Sequence, residues 1–260
     1  KEIHRKSLII DSHCDTPMKF TEGFNFGERH EEVKVDLPKM QEGQEDAVFM
    51  VAYLHQDARD DESLQAATQK AVDILYQISE QVKLNEKQVG VAYNVDDLIY
   101  LKNAGKKAIF LAIENGYAIG KDLGNLSMFK DMGITYITLC HNGSNDICDS
   151  AKGEPEHNGL SPFGRKVVKE MNRLGIIIDI SHTSAKTVQD VLELSTAPII
   201  ASHSSSRALC DHPRNLTDDQ IKAIAAKGGV VQVCLYNWFL NKQPNPTILD
   251  AVAHINHIVQ

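Results

Sequence analysis

Short apolar runs, rich in β-branched residues, recur along the chain at 7–11 (SLIID), 46–53 (DAVFMVAY), 107–113 (KAIFLAI), 134–139 (ITYITL), 176–180 (IIIDI), 198–202 (PIIAS) and 229–236 (GVVQVCLY). Compact, continuous hydrophobicity of this kind predicts strands buried on both faces, as in a parallel sheet covered by helices. Helical segments with recognisable ends lie between them. Residues 63–84 are long and amphipathic. The stretch SPFGRKVVKEMNRLG offers Ser161 as N-cap, Pro162 at the first helical position and Gly175 as a stop. TDDQIKAIAAKGG places Thr217 and Gln220 at capping-box spacing, with Gly228 after the end. The last segment, 247–260, reads as the helix after the seventh strand. Seven strand-then-helix units predict an α/β fold, either a closed (β/α)8 barrel or an open doubly wound sheet.

Polar chemistry separates the two. A dinucleotide-binding sheet calls for G-x-G-x-x-G after its first strand, and the sequence there is DSHCDTP. In a barrel, reactive side chains gather at the C-terminal ends of many strands. They do so here: His13 and Asp15 follow the first run, Glu114 the third, His141 the fourth, His182 the fifth and His203 the sixth. Each alone is an ordinary turn residue; their repetition at one end of five strands favours a (β/α)8 TIM barrel with a site in its mouth. Residues i and i+2 of an extended segment point the same way, so His13 and Asp15 can share a cation while Cys14 faces the packed wall. Imidazole and carboxylate ligands suit Zn2+, and Glu114 has two oxygens with which to bridge two ions. The set suggests a binuclear hydrolytic centre.

Composition narrows the alternatives. At 260 residues, with 42% hydrophobic and 24% charged residues and no apolar run of membrane-spanning length, the chain reads as one globular barrel domain, 1–260. A net charge of -8, with no basic block longer than a pair such as Lys106–Lys107, argues against nucleic acid as a partner. Five cysteines without a C-x-x-C spacing signal neither a disulfide framework nor a thiolate zinc site. The compartment stays open between cytoplasm and export.

The segments DSHCDTP, IENG, TLCHNGSNDICDS, GLSPFGRKVVKEMNRLGIIIDISHTS and ASHSSSRALCDHPRNLTDD, in this order over essentially the whole chain, resemble the renal (membrane) dipeptidase family of zinc peptidases, peptidase family M19. The resemblance implies a (β/α)8 barrel of the metal-dependent hydrolase type and two Zn2+ ions. It also implies hydrolysis of dipeptides, including those with a D-residue or dehydro-residue at the C-terminal position, by a hydroxide bridging the metals. His13 and Asp15 then match ligands of the first zinc, Glu114 the bridge, and His182 and His203 ligands of the second. His141 matches a histidine that contacts substrate near the scissile carbonyl, where it could stabilise an oxyanion. Arg214 in HPRN matches the arginine that holds the dipeptide carboxylate.

In this family a DFDG-like segment follows the eighth strand, and this chain reaches Gln260 before it, so the barrel is expected to be C-terminally incomplete and its eighth strand missing. The partners expected are a dipeptide substrate and, as candidate assembly, a homodimer, with no membrane span. Two alternatives stay open: another binuclear amidohydrolase (lactonase, deaminase or phosphotriesterase), or a metal-binding homologue without catalysis. Against the first, such enzymes commonly begin H-x-H, where this chain has H-x-D.

Overall fold

The computed structural model of the chain describes residues 2–20, 23–243 and 245–260. Its strands are β1 (Ile10–Cys14), β2 (Ala47–Tyr53), β3 (Val89–Val91), β4 (Lys107–Glu114), β5 (Ile134–Thr138), β6 (Ile177–Asp179), β7 (Ile200–Ala201) and β8 (Val230–Val231). All pair in parallel, in the order β1-β2-β4-β5-β6-β7-β8, with β3 joined to β4 alone. β2 runs along the whole of one edge of β4 (Ala47↔Ala108 to Tyr53↔Glu114). The other edge is shared by β3 on residues 107–109 and β5 on residues 111–114.

The sheet curls into a half-barrel, and side-chain parity shows how. Phe49 and Val51 of β2, Ala112 of β4 and Tyr136 of β5 pack with Ile177 of β6 and Ile200 of β7 in one buried cluster, although β2 and β7 lie far apart in the ladder. Phe49 stacks on Phe110 with ring centroids 4.7 Å apart and reaches Tyr136 at 5.4 Å. These residues fill the concave face. Because side chains alternate along a strand, the next inward positions toward the C-terminal end are Tyr53, Glu114, Thr138 and Asp179. The fold therefore lifts polar groups into the mouth directly above an aromatic and aliphatic plug. The larger apolar cluster, containing Met50, Ile109, Ile113, Ile137, Ile178, Val167 and Val191, lies between the sheet and its outer helices.

Helix ends follow the chemistry of the sequence. Ser161 Oγ accepts from Gly164 N at the start of the helix Pro162–Leu174, and Gly175, at φ 66°, stops it in the left-handed region. The Thr217–Gln220 capping box opens the helix Asp218–Ala226. The long helix Asp61–Leu84 and the last helix Ile248–Ile258 also fall where periodicity placed them.

The strands depart from expectation in several places. β3 was not anticipated: it is three residues long and centred on Gly90, where a Cβ would stand 2.7 Å from Leu101 Cδ2, so glycine admits the neighbouring helix Val95–Asn103. β1 begins at Ile10 rather than residue 7 and carries a register irregularity between Asp11 and Cys14, which puts His13 inside the strand instead of after it. β8 holds only two of the eight residues expected and β7 only two of five; β8 pairs with β7 alone, and Val230 is 51% exposed. Among the described residues no strand joins β8 to β1, in keeping with the eighth barrel strand expected to be missing. No helix among them is long and apolar enough to cross a membrane.

Candidate metal centre

Glu114 ends β4, is 3% exposed, and is met on both carboxylate oxygens by imidazole nitrogens. His13 Nε2 lies 3.5 Å from Oε2; His182 Nε2 and His203 Nε2 lie 3.1 and 3.4 Å from Oε1. The last two nitrogens are 2.9 Å apart. Four side chains from four strand ends thus aim their ligand atoms at one small volume. Grouped by distance, His13, Glu114 and His203 form one metal-capable triad and Glu114, His141 and His182 another, with Glu114 in both. Grouped by the oxygen each touches, His203 belongs with His182. The oxygen-resolved contacts separate the two sides of the carboxylate more directly, since all four imidazoles share one crowded mouth.

Local backbone explains how these side chains get there. Asn115, directly after Glu114, has φ 87°, and its side chain bonds Tyr117 N and Leu54 O, so the chain turns sharply off the strand. Gly116 follows because a Cβ there would stand 2.7 Å from Leu139 O. His182 itself sits at φ 70°, a left-handed conformation unusual for histidine, with its carbonyl held by Ala151 N at 2.7 Å. Strain of this kind costs about 1–3 kcal/mol and concentrates at functional sites. It is maintained here by the loop 141–160, which meets His182 through Asn142, Ser150 and Ala151 and is pinned by Asp149 accepting from the amides of Glu156, His157 and Gly159.

On each of the three histidines, Nδ1 has a partner and Nε2 faces the carboxylate. His13 Nδ1 is 3.1 Å from Tyr136 Oη, His182 Nδ1 is 3.2 Å from Asn142 Oδ1, and His203 Nδ1 is 2.8 Å from Ser202 Oγ. Metal-binding histidines are oriented in this way. The donor set of one carboxylate and three Nε2 atoms fits Zn2+ or a similar ion.

Asp15 is less tightly placed. Its Oδ1 comes within 3.4 Å of His13 Nε2, yet its side chain is 54% exposed and it belongs to neither triad. Cys14 between them is buried in the core, bonded to Thr16. His141 lies with its ring 4.3 Å from that of His182 and edge-on to Tyr53 at 4.8 Å. Arg214 is 3% exposed; it donates to His203 O at 3.1 Å and Ser204 Oγ at 3.4 Å, and its buried Nε has no partner. No ion pair forms to its guanidinium among the described residues. His157 is spent on Asn145 O, and His212 accepts from Arg214 N, shaping the arginine's loop.

The charges reinforce one another. Burial works to raise the Glu114 pKa, but the His13 charge and the imidazoles of His13, His182 and His203 set against its two oxygens hold it well below the usual carboxylate range. Burial disfavours charge on His13, and the charge of Glu114 with bonds from Asp15 and Glu114 outweighs it, so His13 titrates well above an ordinary histidine. Burial and then the Arg214 charge push His182 well down; burial and then His13 push His203 to about 4. Burial also lowers His141. Near neutral pH the mouth offers an ionised Glu114 beside neutral His182 and His203, the protonation state that metals require, and a cation at His13 would take the place of its proton.

Sequence reasoning missed Tyr136, Asn142, Asp179 and Ser202, which hold the ligand set from behind. One signal was available: Asp179 is a carboxylate inside the apolar run IIIDI, a placement that burial makes costly unless it has donors.

A sequence profile of the membrane dipeptidase family, peptidase family M19, matches residues 1–260. Dipeptidase tcpJ of Claviceps purpurea is 35% identical over 234 residues, covering 86% of this chain and 54% of that protein. An uncharacterized dipeptidase of Schizosaccharomyces pombe is 34% identical over 284 residues, covering all of this chain and 67% of its own length. Among solved structures, the probable dipeptidase PvdM from Pseudomonas aeruginosa superposes with a TM-score of 0.86 at 31% identity, over 93% of this chain and 63% of that one. The chain thus spans between about half and two thirds of the length of these relatives. With a profile match end to end and relatives above 30% identity, the chain belongs to the membrane dipeptidase family, peptidase family M19.

Proposed function

We propose that residues 1–260 form the metal-holding barrel domain of a zinc dipeptidase. The observation that carries this reading is Glu114, buried and contacted on Oε2 by His13 and on Oε1 by His182 and His203, an arrangement suited to a carboxylate shared between two cations. His13 with Asp15 would hold the first ion and His182 with His203 the second. Bound there, the ions would supply Lewis-acid polarisation of a carbonyl and a water acidic enough to ionise near neutrality.

The chain's own residues would handle the scissile carbonyl and the C-terminal carboxylate. His141, kept neutral by burial, faces the same mouth and can donate a hydrogen bond to the oxygen of a scissile carbonyl as charge develops. Arg214 anchors the substrate carboxylate: a buried guanidinium with an unpartnered Nε favours an anion with two oxygens over any neutral group. An anchor at a fixed distance from the reacting carbonyl selects short peptides with a free C-terminus. The substrate class is dipeptides, with a D-residue or dehydro-residue at the C-terminal position among those to be tried.

The test is hydrolysis of a dipeptide panel by the full-length protein after zinc loading, alongside the same peptides amidated at the C-terminus, a lactone and a phosphotriester. Zinc-dependent cleavage of free dipeptides and poor cleavage of the amides is expected. Full zinc occupancy with turnover confined to the lactone or phosphotriester, or with no turnover, would overturn the reading.

A further inference from the structure

Asp179 is fully buried at the end of β6 and accepts four hydrogen bonds. Its Oδ1 takes the backbone amides of Ser181 at 3.0 Å and Ser202 at 2.9 Å; its Oδ2 takes the hydroxyls of Thr138 and Ser202, both at 2.6 Å. Asp179 is hydrogen-bonded to none of the metal-directed side chains. Ser202 is: its Oγ lies 2.8 Å from Nδ1 of His203.

A hydroxyl carries one proton, and an ionised carboxylate can only accept. With its proton directed at Asp179, the Ser202 oxygen can only accept from His203, so the imidazole must carry its proton on Nδ1. We propose that Asp179, acting through Ser202, is a positioning residue that fixes His203 as the Nδ1–H tautomer and aims a bare Nε2 lone pair at the cation position beside Glu114. This rests on the reading of His203 as a metal ligand, which it deepens by assigning the relay behind it.

The neighbouring histidine is held differently. His182 Nδ1 faces the side chain of Asn142, which is exposed and whose amide can present either oxygen or nitrogen. In the metal-free protein any proton in the 2.9 Å contact between the two Nε2 atoms is therefore supplied by His182, the side that can adapt. His203 cannot adapt, because either oxygen of Asp179 only accepts and so keeps the Ser202 proton.

The decisive substitution is Asp179→Asn, which keeps the shape and reverses one polarity. The two amides continue to demand an oxygen at the Oδ1 position, so the new NH2 group points at Ser202 and Thr138. Ser202 then accepts from that NH2 group and turns its own proton to His203 Nδ1, moving the imidazole proton to Nε2. The readout is two-bond 1H–15N correlation of histidine rings in the metal-free full chain near pH 8, with His203→Gln identifying the resonances. Wild type is expected to show His203 protonated on Nδ1. Asp179→Asn is expected to show it protonated on Nε2, with zinc affinity at the His182–His203 position down roughly 10–100-fold and the ring resonances of His13, whose Nδ1 faces Tyr136, unchanged.

An Nε2–H His203 in wild type, or an unmoved tautomer in folded Asp179→Asn, would overturn the inference. If Asp179→Asn fails to fold, the wild-type spectrum still decides, and Ser202→Ala is expected to lose the single Nδ1–H signature. The expected tautomers with no zinc bound by wild type would instead overturn the metal reading while sparing the relay.

Discussion

Replacing Arg214 by methionine should separate function from stability. The guanidinium is 3% exposed and held by two hydrogen bonds, with its Nε unpaired. Burying a cation without a counter-charge costs several kcal/mol after relaxation, and burial lowers the Arg214 pKa accordingly. Its two hydrogen bonds have an ionised donor and return about 1.5–3 kcal/mol each, which largely offsets that cost. Methionine fills much of the same length against the Phe239 ring, which lies 5.3 Å from the guanidinium carbon. Arg214→Met should therefore stay close to wild type in thermal denaturation. Its effect on catalysis should be large. Two charge-assisted hydrogen bonds to a substrate carboxylate are worth about 1.5–3 kcal/mol each, or about 3–6 kcal/mol together. At about 1.4 kcal/mol per decade, kcat/KM for a free dipeptide should fall roughly 10^2- to 10^4-fold. The amidated dipeptide, lacking the carboxylate, should change far less. Kinetics of both substrates with both proteins form a double-mutant cycle. Equal losses on acid and amide, or an activity loss matched by a collapse in stability, would refute the assignment of Arg214 as the carboxylate anchor.

Tyr136→Phe should keep the aromatic packing against Phe49 but remove the hydroxyl that donates to Ser12 O at 2.8 Å and accepts from His13. Zinc affinity at the His13 position should fall about 10-fold and stability by about 1–2 kcal/mol, measured by competition with a chelator and by urea unfolding; unchanged affinity would remove Tyr136 from the site. Glu45 supplies a pH dependence. Burial, and then the Asp11 charge, raise its carboxyl from 4.5 to about 7, and its buried Oε1 has no partner. The folded chain holds a proton there that the unfolded chain releases, so this stability is complete below about pH 4.5 and is lost as pH rises toward 7. Glu45→Gln should flatten that decline and stabilise the protein above pH 7. The shift itself corresponds to about 3 kcal/mol, reduced to about 2 or less by solvent at a partly exposed site. Parallel stability–pH curves for the two proteins would sink this.

Where local chemistry decides an element, the sequence was readable. Ser161 with Gly175, and Thr217 with Gln220, mark helix ends because an orphan amide needs an oxygen and a left-handed stop needs glycine. Glu114 and four histidines at strand ends were visible because a parallel barrel sends inward positions to one mouth. What stayed hidden depends on partners distant in sequence. β3 pairs along the part of β4's edge that β5 leaves free, β8 meets only β7, and the irregularity in β1 lies in its pairing with β2. Tyr136, Asp179 and Ser202 reach the site by hydrogen bonds to side chains or carbonyls that no spacing rule connects. Asp15 marks the limit of the i, i+2 argument: it follows the strand as the residue capping a short 3-10 turn and stays half exposed.

The central claim is that Glu114 is shared by two cations. Zinc-edge anomalous diffraction from crystals of the zinc-loaded protein tests it most directly. Two anomalous peaks are expected, one on each side of the carboxylate, each about 2.0–2.2 Å from a Glu114 oxygen, with His13 and Asp15 at one and His182 and His203 at the other. A single peak, or peaks that leave Glu114 uncoordinated, would contradict it.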